Sequence, residues 1–366
     1  MIELRFYRDG GQSAVDVARE VAELVEGAER TLELALYDIR LHDEAAEIVT
    51  AALLGAHGRG VAVRLVYNVE HPGPIPVPPP PQTVPELLEA LPIPTRAVAG
   101  IPDLMHHKYA VRDRETVWTG SMNWTDDSWS RQENVVVIAH SQELGHAYGL
   151  NFEQLWEDGS VLGGTVEPRP VDVGGIEVRP WFTPEQGEAL AHRIAKRIGQ
   201  AKRRIRIASP VLSSGPILGT LAEVCSDGVV DVAGVVDDTQ VDGVLYQWRL
   251  NGNASWKVPA LRRFLEAARF SGKPSTKWAP DTVHDFMHAK IAVADDVSFV
   301  GSFNLSHSGE LNAENVLEIK DAGIADRLAA FVDEIRALYP LVTLPEDTLA
   351  PVETVDRRKT RSERAS

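Results

Sequence analysis

The sequence predicts an α/β fold made of two similar layered units arranged about a pseudo-twofold. Three observations carry this expectation. The stretch His106–Asn123 (HHKYAVRDRETVWTGSMN) returns as His288–Asn304 (HAKIAVADDVSFVGSFN). Strand-like and helix-like runs alternate around both copies. A stretch rich in Gly, Pro and Val, Gly159–Gly175, stands between them and reads as a connector.

Taken in order, Ile2-Glu3-Leu4-Arg5 opens the first unit and resembles Ile176-Glu177-Val178-Arg179 at the start of the second. Apolar residues at three- and four-residue spacing predict helices over Ser13–Gly27 and Pro184–Ala201. Strand-like runs follow at Thr31–Ile39 and Arg204–Leu212. Val61–Tyr67 and Val230–Val236 read as the next strands, each preceded by a helix. Lys108–Val111 with Glu115–Trp118, and Lys290–Ala294 with Val297–Val300, read as strand pairs about a turn. Asn134–Ile138 and Asn315–Ile319 add one strand each. The units are placed at residues 1–160 and 176–340, joined by the linker 161–175. Residues 341–366 form a C-terminal tail with an end expected to be disordered.

Two segments break the repeat. Pro72–Pro85 contains eight prolines and should be an extended spacer. The matching region of the second unit is a long insert, about residues 239–280, bearing Tyr246, Trp248, Trp256, Lys257, Lys273 and Trp278 among others. It reads as a substrate rim, a membrane-touching loop or a packed cap.

Composition narrows the class. With 366 residues, 44% hydrophobic and 25% charged, the balance is that of a globular protein. The net charge of −16 argues against a general basic surface for coating nucleic acid, while leaving room for a local basic groove. The single cysteine, Cys225, excludes an internal disulfide framework and a Cys-based zinc site. The first thirty residues are acidic with no signal-peptide core, and no apolar run reaches about 18 residues. A soluble, cytoplasmic protein is expected.

The repeated skeleton is His-x-Lys, four residues, Asp, then Gly-Ser-x-Asn. The first copy uses His106, Lys108, Asp113, Gly120, Ser121 and Asn123; the second uses His288, Lys290, Asp295, Gly301, Ser302 and Asn304. Glu133-Asn134 and Glu314-Asn315 follow the two copies. The second copy is one residue shorter between Asp295 and Gly301, a change assigned to a turn.

In a strand, residues i and i+2 share a face. His106 should therefore project with Lys108, and His288 with Lys290, while His107 points away and is left out of the catalytic pair. Lysine is a point charge suited to a phosphate oxygen. Ser121 and Asn123, like Ser302 and Asn304, can donate hydrogen bonds to the same anion. Two such sets facing each other supply phosphoryl transfer without a metal or other cofactor. One neutral histidine attacks phosphorus and forms a phosphohistidine. The other protonates the leaving oxygen and then activates water or an alcohol. Each needs a partner on its other ring nitrogen. Glu133 and Glu314 are the candidates, each for the histidine of its own or of the opposite unit.

The doubled motif resembles that of the phospholipase D superfamily, and the resemblance covers about residues 1–160 and 176–340. It implies two α/β/α sandwich lobes with mixed sheets and one active site at their interface. It also implies metal-independent phosphodiester hydrolysis or transphosphatidylation, with His106 as nucleophile and His288 as acid/base. Asp113 and Asp295, with Gly120 and Gly301, would serve structure. A phospholipid is the favoured substrate, with peripheral membrane contact through the Trp-bearing insert. The alternative is a nuclease or nucleic-acid phosphodiesterase of the same superfamily, which needs a basic groove. A non-catalytic anion receptor is a third reading, and the intact paired motifs argue against it. With both motifs in one chain, a monomer is expected.

Overall fold

The structure, a computed structural model, describes residues 1–69, 88, 91–100, 103–164, 166–250, 254–277 and 282–343. The proline segment, Trp278 and the tail from residue 344 lie outside the described residues. The first unit contributes β1 (Ile2–Tyr7), β2 (Thr31–Leu36), β3 (Ile39–Arg40), β4 (Ala62–Asn68), β5 (Thr95–Val98), β6 (Lys108–Arg112), β7 (Thr116–Gly120), β8 (Trp124–Thr125) and β9 (Asn134–His140). The second contributes β10 (Val171–Asp172), β11 (Glu177–Phe182), β12 (Arg204–Ala208), β13 (Asp231–Asp237), β14 (Arg269–Lys273), β15 (Ile291–Ala294), β16 (Val297–Gly301) and β17 (Asn315–Lys320).

The sheets run β1-β9-β7-β6-β2-β4-β5 and β10-β11-β17-β16-β15-β12-β13-β14. Apart from the edge strand β10 they match strand for strand. In each, three strands are parallel (β2, β4, β5 and β12, β13, β14) and the others antiparallel. Two predicted strands are shorter than expected. Beyond Leu36 the chain leaves the first sheet, and β3 pairs with β8 instead. β12 stops at Ala208, just ahead of Pro210, which has no N–H to offer a ladder.

The helices are α1 (Ala14–Glu26), α2 (Asp43–Gly58), α3 (Asp126–Ser130), α4 (Gln142–Asp158), α5 (Gly187–Gln200), α6 (Gly215–Asp227), α7 (Asp238–Leu250), α8 (Ala254–Ala267), α9 (His307–Leu311) and α10 (Ala322–Arg336). Helix α1 starts on a reciprocal cap, in which the Ser13 hydroxyl accepts from the Asp16 N–H and the Asp16 carboxylate from the Ser13 N–H. Helices α4 and α10 follow the equivalent strands β9 and β17 and are capped by Ser141 and Asp321. Tyr148, Phe152 and Leu155 of α4 and Leu328, Phe331 and Val332 of α10 belong to one core with residues of both sheets. Each unit adds a core of its own, under α1 and α2 in the first and under α5 to α8 in the second.

The segment 161–175 is more than a connector. Val161, Val166 and Val173 are buried in the shared core, and β10 pairs with β11. The insert forms α7, α8 and β14. Trp248, Val258, Leu261 and Phe264 are buried in the second unit's own core, so this part is a packed cap. Tyr246 and Trp256 remain 44% and 49% exposed.

The motif glycines permit a close strand approach. A Cβ on Gly120 would stand 2.1 Å from the Val135 carbonyl oxygen, and one on Gly301 2.1 Å from that of Asn315. Gly120→Ala or Gly301→Ala must push two paired strands apart. The expected cost is about 1–3 kcal/mol, read as a lowered Tm. An unchanged Tm would show that the ladder yields freely.

Candidate active site

Each motif histidine is strung against the opposite unit. Met105 bridges to Ala313 and Met287 to Glu133. The His106 N–H donates to the Ala313 carbonyl at 2.8 Å, and the His288 N–H to the Glu133 carbonyl at 3.2 Å. From within each unit, the Met105 N–H donates to Asn68 Oδ1 and the Met287 N–H to Asp237 Oδ2, both at 3.0 Å. Asn68 and Asp237 lie outside the doubled motif. Each is the polar residue that ends the equivalent apolar strand, β4 or β13, and that shared placement is the signal that could have found them.

His106, Lys108, His288 and Lys290 are all buried. Lys108 Nζ donates to the His106 carbonyl and Lys290 Nζ to the His288 carbonyl, each at 2.6 Å. The Tyr37 ring packs 4.6 Å from the His106 ring and 4.7 Å from Lys108 Nζ. His107 faces the shared core, its Nδ1 meeting Asn315 Oδ1 at 3.2 Å and its ring lying against Tyr109 and Phe182. Asn123 and Asn304 each keep a buried amide oxygen with no hydrogen-bond partner among the described residues.

The histidine partners differ from the expected pair. His106 Nδ1 lies 2.7 and 2.8 Å from the two carboxylate oxygens of Glu314, in the opposite unit. His288 Nδ1 instead meets Asn134 Oδ1, at 3.1 Å. The cause is strand register. Gly120 pairs with Val136, and Gly301 with Val316. Asn134 therefore stands where Glu314 stands, and Glu133 where Ala313 stands. The path from Gly-Ser-x-Asn to the strand is one residue longer in the first unit, so matching Glu133-Asn134 to Glu314-Asn315 by residue type hides the offset. Glu133 does not reach His288. Its carboxylate accepts from Lys273 Nζ at 3.0 and 3.2 Å and from the Tyr339 hydroxyl, and Lys273 also bonds Asp9 at 3.0 Å.

The serines are likewise turned away from the expected anion. Ser121 Oγ donates to Asn134 Oδ1 at 2.7 Å, and Ser302 Oγ accepts from the Asn315 N–H at 3.0 Å. Ser121 thereby holds the residue that holds the opposite histidine, a supporting role reached through one more bond.

A family model described as "Cardiolipin synthase, PLD-like domain" matches residues 21–156 and 194–336. The chain belongs to the phospholipase D superfamily. The mitochondrial cardiolipin hydrolase of Xenopus laevis is 30% identical over 139 residues, covering 36% of this chain and 57% of that protein. The human protein of that name is 36% identical over 56 residues, covering 15% of this chain and 22% of that protein. The match thus spans little more than half the length of the frog protein and under a quarter of the human one. A crystal structure of phosphatidylserine synthase from Haemophilus influenzae superposes with a TM-score of 0.66 at 15% identity, covering 99% of this chain and 93% of that one. Polyphosphate kinase from Porphyromonas gingivalis gives 0.56 at 12% identity, over 100% of this chain and 56% of that one. These two likenesses show the fold, a two-lobed α/β architecture.

The electrostatics of this phospholipase D-like site follow from burial. Burial pushes Glu314 up to about 7, while Lys108 draws it down. Burial pushes Lys108 down to about 7, against the pull of Glu314 and Asp38. Lys290 is driven well below its ordinary value, first by burial and then by Lys108. His288 is lowered by burial and then by Lys290, Lys108, His106 and His284. A bound phosphodiester opposes the depression at Lys108, Lys290 and His288, because its negative charge favours their protonated forms. His284, which has no role in the sequence reading, is one of the groups that lower His288. Among the described residues no group of three or more His, Cys, Asp or Glu is placed to hold a metal ion, and no helix is long and apolar enough to cross a membrane.

Asp113 and Asp295 sit in the turns between the motif strands, at φ 55° and 51°. The Asp113 carboxylate accepts from the N–H groups of Glu29, Arg30 and Thr31 at 3.1, 2.7 and 2.9 Å. Asp295 accepts from those of Lys202, Arg203 and Arg204 at 2.8, 2.9 and 3.1 Å. Burial opposes ionisation at both, but these amides outweigh it and hold each carboxyl below its ordinary value. That contribution to stability is present above the usual carboxylate range and is lost as pH falls through the depressed value. Asp113→Ala or Asp295→Ala is expected to cost about 1–3 kcal/mol at pH 7. The gap in Tm from the parent should narrow towards pH 3; a constant gap would exclude the ionised carboxylate as its source.

Proposed function

We propose that the chain is a metal-independent phosphodiesterase that cleaves a phospholipid phosphodiester through a phosphohistidine on His106. The observation that carries this is the buried His106–Glu314 pair across the lobe interface, in the electrostatic reach of Lys108 and close to His288 and Lys290. The carboxylate holds the Nδ1 proton and leaves the Nε2 lone pair for phosphorus. Attack forms the N–P bond and breaks the bond to the leaving oxygen, which takes a proton from His288. Water, or an acceptor alcohol, then yields its proton to His288 as its oxygen bonds phosphorus and the N–P bond breaks. Lys108, Lys290, Asn123 and Asn304 would hold the phosphoryl oxygens.

A lipid substrate is supported by the description of the matching family and by relatives named as cardiolipin hydrolases. The net charge of −16 works against a nucleic-acid polyanion and equally against an anionic bilayer, so it does not choose between the two. The exposed rings of Tyr246 and Trp256 suit an interface between water and lipid. The deciding assay is a panel in EDTA: vesicles of phosphatidylcholine, phosphatidylethanolamine or cardiolipin, bis(p-nitrophenyl) phosphate, single- and double-stranded DNA, and RNA. Head-group release from a vesicle is the expected result. Cleavage of nucleic acid alone would replace the lipid reading by the nuclease one, and inertness on the whole panel would overturn both.

A further inference from the structure

The two histidines are backed unequally, and nothing in the doubled motif announces it. Behind His106 stands a buried carboxylate, Glu314; behind His288 stands a carboxamide, Asn134. The nearby buried carboxylate, Glu133, is engaged by Lys273 and Tyr339, and Asp9 lies on the other side of Lys273. Beyond burial, the groups that weigh most on His288 are Lys290, Lys108, His106 and His284, and the Phe286 ring lies 5.3 Å away. All four are cations when protonated. A phosphohistidine that keeps its Nδ1 proton carries a positive ring. Glu314 stabilises that charge on His106, whereas on His288 the same charge would have only a neutral amide behind it.

We infer that Asn134 is a positioning residue that gives the reaction its direction. By withholding charge from His288 it sends the phosphoryl group to His106 and leaves His288 to carry a proton, while Lys273 keeps Glu133 engaged elsewhere. The inference rests on the phosphodiesterase reading for its chemistry. In the first step the His106 Nε2–P bond forms, the P–O bond to the leaving group breaks, and the His288 proton goes to that oxygen. Protonating His288 becomes favourable when the anionic substrate enters, so its proton arrives with the phosphate.

Asn134→Asp tests this by placing a carboxylate behind His288 in the existing register. Histidine Cε1 resonances, assigned with a His288→Gln control, are titrated in the substrate-free protein. The His288 midpoint is expected to rise by at least one pH unit, a tenfold change in its protonation ratio. In a rapid quench with substrate, phosphate should be recovered on His106 alone in the parent and on both histidines in the variant. An unmoved His288 titration in folded Asn134→Asp, or phosphate on His288 in the parent, would overturn the inference. If that variant does not fold, Glu314→Gln removes the contrast from the other side. Trapped phosphohistidine at His106 should then fall at least tenfold, and undiminished trapping would overturn it. The titration needs no substrate, so a His288 shift in a protein that cleaves no phosphodiester refutes the proposed function while supporting the role of Asn134.

Discussion

His106→Asn is expected to lower kcat on any cleaved phosphodiester by about 10⁴-fold or more, with no phosphohistidine trapped on denaturation. Asparagine fills part of the ring's volume and can still hydrogen-bond Glu314, but its amide has no lone pair basic enough to attack phosphorus. The loss is therefore one of chemistry rather than of fold, and an unchanged Tm checks that. His288→Ala separates the two halves of the reaction. With a p-nitrophenolate leaving group, which needs little protonation, His106 still attacks phosphorus and expels it, and the intermediate accumulates because no base activates water. With an alkoxide leaving group both halves slow, by about 10²–10⁴-fold for the missing proton transfer. Trapped intermediate in His106→Asn but none in His288→Ala would exchange the two roles.

Glu314→Gln is expected to lower kcat by about 10²–10⁴-fold while KM changes little, since Glu314 acts on the ring and not on the substrate. The pH profile gives the sharper test. Burial, opposed by Lys108, places Glu314 at about 7. As pH falls through that value the carboxyl becomes neutral and no longer stabilises charge on His106, so kcat should fall on the acid side. The apparent midpoint belongs to the His106–Glu314 pair and not to either group alone. In Glu314→Gln that acid limb should vanish along with most of the rate. An acid limb that survives in place would assign it to another group.

Much of this site was legible in one sequence. The i, i+2 spacing put His106 with Lys108 and His288 with Lys290 and turned His107 away, because alternation of side chains is a local property of an extended backbone. The repeat also announced two like α/β units, since the same order of strands and helices recurs with the same turn chemistry at Asp113 and Asp295. The one-residue difference after the motif Asp predicts a turn change. It is one: Asp113 and Arg114 both take positive φ in the first unit, and Asp295 alone in the second.

What backs each histidine was decided only by the tertiary structure. Glu133 and Glu314 look equivalent as residue types, yet one longer connection through α3 moves Asn134 into the place of Glu314 and sends Glu133 to Lys273. Lys273 comes from an insert that sequence could describe only as basic and aromatic. Ser121 and Ser302 share the phase of Asn123 and Asn304 along the chain but spend their hydroxyls on β9 and the start of β17. The chain alone thus determined the candidate groups and their local facing, which follow from covalent geometry over two or three residues. The pairing of those groups depends on hydrogen-bond register between strands far apart in sequence. A single residue of loop length exchanges every neighbour across such a ladder, and only the folded chain shows which exchange was made.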